Sequence, residues 1–183
     1  MTSSGKGSRP KRGSTRSKRS ARTEPAGSES PKADYEELFA CFNARKVRYL
    51  IVGGYAVAFH AKPRYTKDID LLIERSTRNA ARVLAALRDF FGAPIPQLDR
   101  ADFVEPDGIL VLGVAPNRVD ILNAIPGIEF ADSWKRRVES RYGRETVYFI
   151  SRADLLRNKE LVGRPVDKRD AEWLRRATAR TKK

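Results

Sequence analysis

YLIVGGYAVAFHAKPRYTKDIDLLIE, residues Tyr49 to Glu74, is the stretch whose reading decides the fold. Val47 to Val52 is a short apolar run with β-branched and aromatic members; it stops at Gly53-Gly54, and helix-compatible residues resume from Tyr55 to Ala61. The pattern predicts a strand, a glycine turn and a helix. A turn without side chains lets the backbone approach a ligand, and the N–H groups opening the next helix are free donors with the positive end of a dipole behind them. A phosphate fits there. Pro63 cannot continue the helix, so the chain turns before entering Asp68-Ile-Asp-Leu-Leu-Ile-Glu74. Residues two apart on a strand share a face, which projects Asp68 and Asp70 together while Ile69 and Leu71 enter the opposite layer. Two aligned carboxylates raise each other's pKa unless a cation lies between them, and hard oxygen ligands on a rigid strand suit Mg²⁺.

Each piece alone has an ordinary explanation, since Gly-Gly is usually only a turn and Asp-x-Asp is often the exposed face of an antiparallel sheet. The ordered set carries the weight. It resembles the signature of the DNA polymerase β-like nucleotidyltransferase superfamily, a Gly-Gly or Gly-Ser turn followed ten to fifteen residues on by Asp-x-Asp; here Tyr55 to Lys67 separate Gly54 from Asp68. The resemblance implies a third carboxylate on a later strand, and Asp120 in Arg118-Val-Asp-Ile-Leu-Asn123 is its place. Val119 and Ile121 alternate with Asp120, which puts the acid on the face opposite theirs.

Composition narrows the class. The chain of 183 residues is long enough for one domain with a sizeable core, and it has no apolar run near the length of a membrane span. We expect a soluble, cytoplasmic protein: the N-terminus lacks an apolar signal region, and the lone Cys41 cannot form an intrachain disulfide. One cysteine and one histidine, His60, give no adequate support for a usual zinc site or a Ser-His-Asp triad, and His60 reads as packing or surface. The net charge of +14 is uneven. Residues 1–32 carry +7 and residues 175–183 carry +5, leaving a nearly balanced body of +2. We therefore expect a disordered basic tail over 1–32, one domain over 33–176 and a basic C-terminal tail over 177–183. A basic arm attracts RNA, DNA or other acidic surfaces through counterion release without reading sequence.

Along the body, a helix is expected from Ala33 to Asn43, and a longer one from an N-cap at Ser76 to about Phe91, with Gly92-Ala-Pro94 ending it. Gln97 to Asp107 is ambiguous, a strand or a rim loop. Ile109 to Gly113 and Arg118 to Leu122 read as a hairpin, Ala124 to Phe130 as a loop, Ser133 to about Arg141 as a helix and Glu145 to Ile150 as a last strand. Ser151 and Asp154 form a capping box for a helix with Leu155, Leu156, Leu161 and Val162 inward and Lys159 on a different face, and Asp167 with Asp170 begins the final helix.

Ser151 to Asp170 is similar to the second motif of AbiEii-type and related toxin-like (MenT-type) nucleotidyltransferases, a helix Lys followed by Arg and one or two Asp. The resemblance carries Lys159 over as a nucleotide-phosphate ligand, with Arg164, Asp167 and Asp170 supporting it. The expected fold is α/β, a small mixed, twisted sheet with helices packed on it. The expected reaction is Mg²⁺-dependent transfer of a nucleoside monophosphate from an NTP to an acceptor hydroxyl, with pyrophosphate released. Asp68, Asp70 and Asp120 would hold two Mg²⁺ ions and do the catalytic work, Gly53 and Gly54 would cradle phosphates, and Arg64 and Thr66 would touch substrate. An RNA or tRNA end, a protein hydroxyl and a small molecule are open as acceptors, and a toxin role with an antitoxin partner follows the same resemblance. Two rivals stand beside this: a non-catalytic scaffold of the same fold binding nucleic acid or a protein, and a plain basic nucleic-acid-binding protein.

Overall fold

The Asp-x-Asp segment becomes the central strand because its lower half is apolar on both faces. In the computed structural model, which describes residues 19–21, 31–63, 65–66, 68–115 and 117–180, Ile69, Leu71, Leu72 and Ile73 are all buried. Seven strands make one mixed sheet: β1 (Arg19–Ala21), β2 (Tyr49–Val52), β3 (Asp68–Ile73), β4 (Ile109–Leu112), β5 (Arg118–Leu122), β6 (Val138–Tyr142) and β7 (Glu145–Phe149). Their order is β1-β4-β5-β3-β2-β7-β6. Arg19–Ala21, inside the stretch expected to be a disordered tail, pairs parallel to β4; the remainder of 1–30, and 181–183, lie outside the described residues.

Two pairings position the site. β3 runs parallel to β5 with Asp68 opposite Arg118 and Asp70 opposite Asp120. β2 runs antiparallel to β3 with Val52 opposite Asp70, so the chain leaves β2 beside that carboxylate. The expected hairpin is present, with Ile109 opposite Leu122.

Among the described residues seven helices surround the sheet: α1 (Pro31–Ala44), α2 (Gly53–His60), α3 (Thr77–Phe91), α4 (Ala101–Val104), α5 (Phe130–Lys135), α6 (Arg152–Val162) and α7 (Pro165–Arg180). α1 packs on α3 and β7, while α2 packs on β3, α6 and α7. Tyr35, Leu38, Phe39 and Phe42 of α1 join Val83 and Leu87 of α3 in the core. α3 starts and stops as expected: Ser76 accepts from the Asn79 N–H, and Gly92 takes the left-handed conformation with φ of 71°. The ambiguous 97–107 stretch holds the single-turn α4 within turns. α7 continues through residues 177–180, which were expected to begin the C-terminal tail. Among the described residues no helix is long and apolar enough to cross a membrane.

One element differs from expectation. The helix expected from Ser133 to Arg141 ends at Lys135, and Val138–Tyr142 is a strand paired with β7. Val138, Ser140 and Tyr142 are half-buried while Glu139 and Arg141 are exposed, a period of two rather than 3.6. A tight turn at Gly143-Arg144 closes the hairpin, and Gly143 has φ of 58°. An added Cβ there would lie 2.0 Å from Glu36 Oε2, whose partner oxygen accepts from the Arg144 N–H at 2.9 Å. Tyr142 then packs edge-on against Tyr35 and Phe39.

Candidate active site

The parallel register of β3 and β5 places three acids on one face, since Asp68 and Asp70 are two apart and Asp120 is the partner of Asp70. Asp120 is buried and the other two are half-buried. Burial pushes the Asp70 carboxyl up to about 6, and the like charges of Asp68 and Asp120 push the same way against Lys159 and Arg118. Thr66 Oγ lies 3.1 Å from both the carbonyl oxygen and Oδ1 of Asp68, so its one proton ties the entering loop to that acid.

Gly53 and Gly54 are required by contact as well as by the turn. Gly53 has φ of 60°, and a Cβ on it would fall 1.9 Å from Asp70 Oδ2. A Cβ on Gly54 would fall 2.8 Å from Thr66 Oγ. Helix α2 thus begins at Gly53 itself, two residues earlier than expected, and it starts without a side-chain cap. The backbone of its first turn lies against Asp70 and Thr66 because no side chain intervenes.

The α6–α7 pair closes the other side. Ser151 caps α6 as expected: its Oγ accepts from the Asp154 N–H and donates to Asp154 Oδ2. The expected facing of that helix holds at Leu155 and fails at Lys159 and Leu161. Lys159 is not on a solvated face but buried, four residues from the fully buried Leu155, whereas Leu161 is 59% exposed. The Lys159 ammonium donates to Asp167 Oδ1 at 2.9 Å and lies 3.4 Å from Asp170 Oδ2, both carboxylates being fully buried. Arg164, mostly exposed, donates to Asp167 through Nε at 2.5 Å. Burial works against ionisation of Asp167, but hydrogen bonds from Arg164 and Lys159 hold its carboxyl below the usual range. Such a cluster keeps its charges only because each has partners.

These parts meet in one cleft of about 810 Å³. Gly53, Gly54, Thr66, Asp68, Asp70 and Asp120 line one side, and Lys159 and Arg164 line another. Asp167 and Asp170 stand behind Lys159 and do not line it. Arg64 lies outside the described residues. His60 is elsewhere: its Nε2 lies 2.6 Å from the Ile150 carbonyl oxygen, and burial lowers its pKa, so the ring is neutral and donates that bond as a packing group.

Sequence reasoning missed several lining residues, Arg118 and Asn158 among them. Arg118 chelates Asp120, Nε to Oδ1 at 2.7 Å and Nη2 to Oδ2 at 2.5 Å. Alternation had already put it on the acid's face, two residues earlier, and that signal was readable. Asn158 donates to the Pro126 carbonyl at 2.9 Å and holds the 124–128 loop on α6; no sequence pattern marked it. Ile109, Leu122, Ile125 and Val162 add an apolar wall to the cleft.

The donor set fits a divalent cation in chemistry: three carboxylate side chains share a face, and Asp70 resists ionisation among them. As they stand, no three His, Cys, Asp or Glu side chains among the described residues are grouped to hold a metal ion, and Asp120 is paired with Arg118. A cation here would take the place of that guanidinium on Asp120.

No protein-family model matches the sequence, and no curated protein matches it. The backbone is similar to the crystal structure of an antigenic nucleotidyltransferase-like protein from Paracoccidioides brasiliensis, with a TM-score of 0.50 over 82% of this chain and 78% of that one, at 20% identity. That likeness is one of fold. The chain has a nucleotidyltransferase-like α/β fold, and its carboxylate cleft lies where the central strands of that fold meet the two C-terminal helices.

Proposed function

We propose that the chain transfers a nucleoside monophosphate from an NTP to an acceptor hydroxyl, with Mg²⁺. The observation that carries this reading is the convergence of Asp68, Asp70 and Asp120 beside the Gly53-Gly54 turn in a cleft that also holds Lys159 and Arg164. Mg²⁺ held by the three acids would offset the charge of the phosphates and align them. The first turn of α2 offers backbone N–H groups to phosphate oxygens. Arg164 has an exposed guanidinium suited to a triphosphate, while Lys159, already held by two carboxylates, acts as a fixed positive charge on the cleft wall. The acceptor oxygen bonds to the α-phosphorus, the bond to the β-phosphate oxygen breaks, and pyrophosphate leaves with that electron pair. Asp120 accepts the acceptor's proton once Arg118 has released it. The apolar wall suits the base.

A rival reading, a non-catalytic scaffold of the same fold, draws on the Arg118–Asp120 pair, which neutralises one acid without any metal ion. Label transfer from each α-³²P-NTP into RNA, protein and small acceptors, native against Asp68→Ala/Asp70→Ala, decides between them. Label appearing only with the native chain supports transfer and names both base and acceptor class. Equal backgrounds with no NTP binding would leave the scaffold. Growth arrest on expression, lost in the same variant, tests a toxin role.

A further inference from the structure

A second cleft, of about 660 Å³, opens at the other end of β2, bounded by the α1–β2 turn, α5 and the β6–β7 hairpin. Arg48 stands at this end and Gly53 at the carboxylate end, so the two clefts are about 16 Å apart along the strand at roughly 3.3 Å per residue. Its lining is cationic and aromatic: Lys46 and Arg82, then Arg48 and Arg144, which are paired with Glu74 and Glu36, beside Trp134 and Tyr148.

The aromatic rings order guanidinium planes. Arg48 lies 4.9 Å from the centre of the Trp134 ring and 5.8 Å from that of Phe130. Arg137 lies 4.2 Å from the Trp134 ring and 5.2 Å from the Tyr148 ring, and its Nε has no hydrogen-bond partner. Flat cations fixed on rings are surfaces on which an unstacked base can lie. Lys46 adds an exposed ammonium with no acid partner among the described residues, and it holds a φ of 55°, which glycine would adopt without strain. Arg82 donates to the Lys46 carbonyl oxygen at 3.1 Å, which brings its guanidinium to the backbone that carries Lys46. Of the two acids in the lining, Glu145 is taken by Asn43, while Glu139 stands exposed on the edge strand β6. A carboxylate there repels bare phosphate but accepts from a ribose 2′-hydroxyl, which DNA lacks.

We propose that this groove binds a single-stranded RNA segment, with phosphates on Lys46 and Arg82 and a base against the Arg–aromatic stack. The binding needs neither NTP nor the carboxylates. Only its consequence rests on the transfer reading: the RNA held here is then the acceptor, its end reaching the carboxylate cleft.

The test is fluorescence anisotropy of a labelled, unstructured oligouridylate with the full chain, across a salt series. The variants are Lys46→Gln/Arg82→Gln in the groove, Lys168→Gln/Arg176→Gln on the exposed face of α7 as a charge-matched control, and Asp68→Ala/Asp70→Ala. The groove pair should weaken binding about tenfold at moderate salt and flatten the salt slope by about 1 to 2, while the α7 pair changes affinity less than about twofold. Asp68→Ala/Asp70→Ala should bind as the native chain does, which separates this proposal from the fate of the transfer reading. Photocrosslinks from 4-thiouridine should map to the segment containing Trp134 and Tyr148. Lys46→Gln alone, at an exposed side chain, repeats the comparison without risk to folding. Equal losses from the two charge-matched pairs, binding of the deoxy oligomer as tight as that of the ribo oligomer, or no RNA binding at all would overturn the proposal.

Discussion

Asp70 has a folded-state pKa near 6 against an ordinary value of 3.8, because it is buried among Asp68 and Asp120. Between about pH 4 and pH 6 the folded chain keeps a proton that the unfolded chain has already released, so stability falls as pH rises through that window. A shift of about two units is worth on the order of 3 kcal/mol. Urea denaturation of the cation-free protein should show this fall between pH 4 and pH 7. Asp70→Asn should flatten it, matching the native chain at pH 4 and exceeding it at pH 7, and should abolish the proposed nucleotidyl transfer. Gly53→Ala should act in the opposite sense. Its methyl group would meet Asp70 Oδ2, and its φ is left-handed, so we expect a loss of more than about 1 kcal/mol together with loss of activity. Both residues were legible from the chain because a strand's alternation and a glycine turn are local. Lys159 was not. Its neighbours Leu161 and Val162 outvoted it by polarity, and only the later Asp167 and Asp170, arriving from another helix, make an inward lysine tolerable.

At the level of elements, the β3–β5 register made the third acid readable, since a slip of one residue would have turned Asp120 into the core beneath Ile69 and Leu71. The β6 strand was unreadable for the opposite reason. Lys135-Arg-Arg-Val-Glu139 has too few apolar residues for either period to stand out, and the turn glycine and its Glu36 partner decide the matter from outside. The α6–α7 junction yields a sharp expectation. Lys159→Met takes the buried ammonium from two fully buried carboxylates, Asp167 and Asp170, and should cost about 3 to 5 kcal/mol in chemical denaturation. Lys159→Met/Asp170→Leu should recover part of that loss, which a lysine needed only for substrate would not do.

For the whole molecule, the cleft joins residues from β2 through α7, so a ligand that binds it stabilises the entire domain. Mg²⁺ should raise the thermal midpoint of the native chain in a concentration-dependent way and leave Asp68→Ala/Asp70→Ala unmoved. An unchanged native midpoint at saturating Mg²⁺ with NTP would remove the metal from the reading. The class of the fold was legible at this scale because strand, turn, helix and strand follow one another along the chain. The union of α2 with α6 and α7 was not, because it spans more than ninety residues and leaves no local mark.

The buried Lys159–Asp167–Asp170 cluster also has a meaning in time. The acids of β3 and β5 leave the ribosome well before α7, yet the wall that faces them is held by two carboxylates of α7. A nascent polypeptide therefore carries the acids before the wall that faces them, and that side of the cleft closes only when α7 docks on α6.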